Sequence, residues 1–155
     1  MKKYKEKYIG FLILFLITSC SLESKFSLPN DEKIIPELIG EWHSEESDNE
    51  MIKILKNGEK SYLIQIIDNN GTDELIAFSK TIKGITIMNV KTETKGIITN
   101  LFYGFSIESN TLFFFEINDK LRNGEFKSEF QLLKFFEENI NKENFLINPT
   151  KLKRK

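Results

Sequence analysis

Hydrophobic and polar positions alternate along much of the chain. In the segment 101–108, Leu101, Tyr103, Phe105 and Ile107 fall on one face and Phe102, Gly104, Ser106 and Glu108 on the other. That period of two is the pattern of a strand with one buried and one wetter face. Segments 38–43, 50–55, 61–68, 73–82, 85–91, 97–108 and 111–118 carry residues suited to strands. Between them stand turn signals: Asn57-Gly58, Asp68-Asn69-Asn70-Gly71, Lys83-Gly84, Gly96, Ser109-Asn110 and Asn123-Gly124. Each favours positive φ or a side-chain-capped turn. Short strands returning by tight turns predict antiparallel neighbours in sequence order. Closing seven to eight of them removes exposed edges. The predicted fold is therefore mainly β, an antiparallel up-and-down meander or barrel over residues 37–127.

Residues 128–150 read differently. Ser128-Glu129-Phe130-Gln131 has the Ser-x-x-Gln form of a capping box, which opens a helix by satisfying its first free N–H groups. Leu132, Leu133, Phe136 and Ile140 then recur at helical spacing, with Lys134, Glu137 and Glu138 facing away. A C-terminal helix ending near 139–141 is predicted to pack on the barrel, followed by a coda at Phe145-Leu146-Ile147. Leu112-Phe113-Phe114-Phe115 is apolar on both faces, and this helix is its expected cover. Residues 151–155, Lys-Leu-Lys-Arg-Lys, read as a solvated basic tail. Residues 20–36, with two prolines, several charges and no sustained period, read as a tether of about 20 Å by random-coil scaling.

The first twenty residues are an address. Lys2, Lys3, Lys5 and Lys7 precede the apolar run Ile9 to Ile17, and small residues follow, the layout of a secretory signal. Nine apolar residues fall well short of the roughly 20 that a spanning helix needs. The ending Ile17-Thr18-Ser19-Cys20 resembles the lipobox of bacterial lipoproteins. The resemblance implies that 1–19 is a cleaved signal peptide. It also implies that the Cys20 thiol carries a diacylglycerol and that the new amino group carries an acyl chain such as palmitate. Two or three chains anchor a protein to a membrane stably, since each buried CH₂ contributes about 0.8 kcal/mol. The chain is expected to be exported and lipid-anchored in a bacterial cell envelope. Ser21 is not the acidic residue linked to inner-membrane retention in that family, which points to the outer membrane.

Gly40-Glu41-Trp42 contains the only Trp and stands at the first predicted strand. It resembles the Gly-x-Trp motif that opens the barrels of lipocalins and other calycins. In that family the Trp closes one end of the barrel and a late Arg packs across it. The resemblance gives Gly40 and Trp42 an anchoring role and assigns the stacking cation to Arg122. The second motif of the family, Thr-Asp-Tyr, is absent, so the expected domain is small and lipocalin-like.

Composition narrows function by exclusion. Lys and Arg total 22 against 23 Asp and Glu, a net charge of −1; without the signal the balance is 18 against 22, a net of about −4. That is no electrostatic footprint for nucleic acid. One Cys and one His leave no set of zinc ligands, and no metal or cofactor is expected beyond the lipid on Cys20. His43 reads as a rim residue, and Glu45-Glu46 and Glu137-Glu138 as solubilising charge. No nucleophile elbow, phosphate loop or dinucleotide fingerprint is present, so an enzyme is not expected and a hydrolase is the least favoured class. Tyr62, Tyr103, Phe105, Ile107 and Phe114 are the candidate inward-facing residues. They suit a small apolar ligand, but serve equally to fill the interior, as in other eight-stranded barrels. A binding or interaction module is expected, its partner a small apolar ligand or an envelope protein. The alternative is an inhibitor- or immunity-type lipoprotein working through its outer surface.

Overall fold

A computed structural model of the chain describes residues 21–155; the expected signal peptide, 1–19, and Cys20 lie outside the described residues. Strand β1 (Leu22–Ser24) is followed by a 3-10 turn at Pro36–Leu38. Then come β2 (Gly40–Ser44), β3 (Met51–Lys56), β4 (Tyr62–Asp68), β5 (Gly71–Ile82), β6 (Ile85–Thr94), β7 (Ile97–Glu108) and β8 (Thr111–Ile117). Helix α1 (Glu129–Asn139) and strand β9 (Leu146–Arg154) complete the chain. Each strand from β2 to β8 pairs antiparallel with the next, and β9 pairs with both β8 and β2. Eight strands thus form a closed antiparallel barrel. β1 is the ninth, adding to the edge of β7 beyond the end of β8: Leu22 opposes Phe102, while Glu116 of β8 opposes Tyr103. The β5–β6 and β6–β7 hairpins turn at Lys83-Gly84 and Lys95-Gly96 with positive φ at both residues, the conformation that matches strand twist.

The closing strand corrects the expected boundaries. Residues 151–155 are not a solvated tail, and the barrel does not end at 127. The coda at 145–147 leads into β9, whose Leu152 is buried in the barrel core while Lys151 and Lys153 point out to Glu45. Neither is 20–36 a free tether in its described part. Leu22, Ser24 and Leu28 are buried, and the segment straps the outside of the sheet. Asn89 on β6 accepts from the Leu28 N–H at 2.9 Å and donates to Asn100 Oδ1 at 2.9 Å; Asn100 in turn donates to the Ser24 carbonyl at 3.3 Å. Asp31 and Glu32 pair with Lys80 further along, at 2.7 and 3.2 Å.

Two apolar cores result. The first fills the barrel around Trp42, Ile54, Tyr62, Met88 and Phe105. The second lies outside, between the sheet and α1, where Phe78, Ile87 and Phe102 meet Leu132, Phe135, Phe136 and Phe145. Phe102 and Phe136 touch edge to face, with centroids 5.5 Å apart, a favoured aromatic geometry. The outer core therefore covers β5 to β7 and reaches Ile117 at the end of β8, but leaves Phe113 of β8 half-buried. Its cap forms as expected: Ser128 Oγ accepts from the Gln131 N–H at 3.1 Å. Gln131 reaches back one residue further, to the Lys127 N–H at 3.0 Å.

Candidate functional site

The two ends of the barrel differ. At one end the chain plugs itself. Pro36–Leu38 crosses the opening, Trp42 Nε1 donates to the Leu38 carbonyl at 2.9 Å, and Arg154 lies over the Trp42 ring at 4.3 Å. The Tyr62 hydroxyl accepts from the Ile35 N–H at 2.7 Å and shares a 3.1 Å hydrogen bond with Ser79, so its polar tip is satisfied within the plug. The family resemblance had assigned Arg122 to Trp42. Arg122 instead lies 6.0 Å from Phe126 and donates to the Glu23 carbonyl; it follows β8, far from the end where Trp42 sits.

The other end is open and leads to an apolar cavity of about 80 Å³. Ile52, Ile64, Ile66, Leu75, Met88, Val90, Leu101, Tyr103 and Phe114 line it, with Thr150 and Leu152 of β9 completing the wall. The wall loosens between β8 and β9, where the register slips between Phe114 and Glu116. Asn148 takes a φ of 50° there and donates through Nδ2 to Glu116 Oε2 at 3.0 Å. This pair puts an amide and a carboxylate at the rim of a cavity that is otherwise greasy. Tyr103 stands at the same rim, level with Ser21. Burial pushes the Tyr103 phenol above its ordinary range and the Glu116 charge adds to this, while the nearby Ser21 hydroxyl pulls it back.

All five predicted inward residues belong to the interior core or pack against it, but they do not converge. Tyr103 and Phe114 line the cavity. Tyr62 is part of the plug, and Phe105 and Ile107 border a separate shallow depression with Ile35 and Arg154. Gly40 and Trp42 hold the closed end. The rim residues Glu116 and Asn148 had no sequence signal, since their meeting depends on the bulge. Among the described residues, two buried side-chain atoms have no hydrogen-bond partner, His43 Nε2 and Glu50 Oε1. Glu50 stands two residues before Ile52, and burial first, then the charges of Asp68 and Glu46, hold its carboxyl above the usual range. Among the described residues, no three His, Cys, Asp or Glu side chains group as metal ligands, and no helix is long and apolar enough to cross a membrane.

No family model, no curated protein and no solved structure matches this chain.

Proposed function

We propose that this is a lipid-anchored protein of the bacterial cell envelope whose barrel is a binding module, taking an apolar group at its open mouth. The observation that carries it is the cavity: apolar walls on every strand from β3 to β9, and polar atoms confined to the rim at Glu116, Asn148 and Tyr103. Small-molecule sites have this form, greasy walls with a few placed polar groups. Size limits the occupant. A cavity of about 150 Å³ admits benzene, and this one measures about 80 Å³. It suits a short aliphatic end, the terminus of an acyl chain or a branched side chain, and not a whole lipid.

The same small volume favours a second reading, an inhibitor- or immunity-type lipoprotein acting through its outer surface. Native mass spectrometry of the full chain, purified in detergent from a bacterial host, separates the two. The expected result is an adduct of one apolar molecule that disappears in Val90→Phe, which fills the cavity. A ligand-free mass in the unaltered protein, unchanged by Val90→Phe, moves the function to the outer surface.

A further inference from the structure

The described chain enters the fold at the mouth itself. Leu22 is buried and paired with Phe102, which sets Ser21 level with Tyr103 on the cavity rim. Cys20 is the next residue in the sequence. Whatever plane holds the acyl chains of Cys20 is therefore within a residue's reach of the mouth.

A second feature stands at the same end. The β6–β7 hairpin rises past the end of β8, and its tip carries Ile97 and Ile98, exposed to 69% and 55%. By strand alternation Ile97 has the parity of Leu101 and Tyr103, the inward side, so it overhangs the mouth. Ile98 lies five residues from Tyr103 along β7, about 17 Å at the rise of a strand. As consecutive residues of β7 the two project on opposite faces, so the tip is apolar on both sides. Lys25 and Lys95 at the tip face Glu23 and Glu93, and the β2–β3 loop and the start of β5 at the same end add Glu45, Glu46, Asp48, Asp73 and Glu74, all exposed. The mouth end is therefore acidic, and nothing there attracts an anionic surface.

We infer that the mouth end of the barrel rests on the lipid bilayer, with Ile97 and Ile98 dipping among the acyl chains and the cavity opening toward them. This rests on the lipid-anchor reading of Cys20. The occupant of this surface is thus a lipid surface, reached by apolar contact and not by attraction to anionic headgroups. The short aliphatic end that the cavity accommodates is then drawn from the bilayer side.

The test uses the full acylated chain in vesicles of phosphatidylethanolamine and phosphatidylglycerol. Cys20 is the only native cysteine, so once it is acylated Ile98→Cys offers a single thiol for a nitroxide label. Lys60→Cys, on the β3–β4 loop at the plugged end, is the reference. Expected is a label at 98 that collides with dissolved oxygen more than with a water-soluble nickel chelate, and the reverse at 60, with the oxygen preference at 98 kept or increased when anionic lipid is reduced. A label at 98 as open to the chelate as that at 60 overturns the docking while leaving the anchor intact; the tip is then free for a protein partner. Intact mass of the same samples separates the other failure. A Cys20 without acyl groups overturns the anchor and the docking together.

Discussion

The guanidinium of Arg154, the penultimate residue, stacks on Trp42 near the start of the barrel, 4.3 Å from the ring centroid. It also donates to the Ile39 carbonyl at 2.9 Å and to the Glu37 carbonyl. One side chain thereby ties β9 to β2 and to the plug that closes the barrel. Stacking of a partly desolvated cation on Trp contributes about 1–2 kcal/mol, and charge-assisted hydrogen bonds add to it. Arg154→Ala is expected to lower stability by about 2–4 kcal/mol, with Arg154→Lys recovering only part because it lacks the planar fork. Arg122→Ala should cost under about 1 kcal/mol, as for most surface changes. Urea unfolding of the three variants checks the order. Equal losses for Arg122 and Arg154 would show that the stack carries no special weight.

Gly40 explains why the first strand begins as it does. Its φ of 147° is one that side chains rarely adopt, and a Cβ there would lie 2.6 Å from Arg154 Nη1. The glycine makes room for the cation that covers the Trp. Gly40→Ala is expected to cost about 2 kcal/mol or more, from backbone strain and a displaced stack. Gly104 is a different case: its φ is ordinary, and the added Cβ would meet Leu146 Cδ2 at 2.6 Å. Gly104→Ala should cost about 1–3 kcal/mol by overpacking, and Leu146→Ala should relieve much of it. A double-mutant cycle on Gly104 and Leu146 reads this directly. A coupling energy near zero would mean that Leu146 already swings aside.

What the sequence made legible was the repeated alternation. Leu101, Tyr103, Phe105 and Ile107 point inward as their spacing implies, and Ser128 caps the helix. The last strand was hidden because its inward positions are Thr150, Leu152 and Arg154, only one of them hydrophobic, and because Pro149 interrupts it. A basic run with period two is easily taken for a solvated tail; its alternating lysines in fact reach Glu45. The segment after Ser21 was hidden for another reason. It is held by side-chain amides receiving and donating backbone hydrogen bonds, which leave no hydrophobic period to find. The mouth was half legible: alternation identifies the inner face, but only register and the β8–β9 bulge decide which end stays open.

Those amides give a third prediction. Asn89 is fully buried and bridges the Leu28 N–H to Asn100 Oδ1, each at 2.9 Å. Asn89→Ala leaves a buried N–H and a buried carbonyl oxygen short of partners, at about 1–3 kcal/mol for such a group. Asn89→Asp keeps an acceptor for Leu28 but sets a buried carboxylate against Asn100 Oδ1, and should cost at least as much as Asn89→Ala near neutral pH. The strap should loosen before the barrel does. Hydrogen exchange in 22–35 is expected to quicken markedly in Asn89→Ala while β3 and β4 stay protected. Uniform acceleration through the barrel would show that strap and barrel unfold as one unit.

Glu50 predicts an inverted pH dependence. It is only 2% exposed, Oε1 has no partner, and burial together with Asp68 and Glu46 raises its carboxyl above the ordinary range. In the window from that ordinary range up to the raised folded value, the folded protein holds a proton that the unfolded chain has released. Stability therefore falls as pH rises through the window and levels off above it. Asp31 and Glu45 act in the opposite sense. Hydrogen bonds from Lys80 and from Lys153 hold these two carboxyls below their usual range. Their contribution is present above that range and fades as pH drops through their folded values, but both are exposed and screened, so it is small. Glu50→Gln removes the charge while keeping the shape. It should abolish the decline on the alkaline side of the carboxylate range and raise stability near neutral pH by about 1–2 kcal/mol, the scale of an unpaired buried group. Urea midpoints of both proteins from pH 4 to pH 8 give the comparison. Parallel curves would mean that Glu50 ionises in the folded protein as it does in water, with solvent reaching Oε1 through the open mouth.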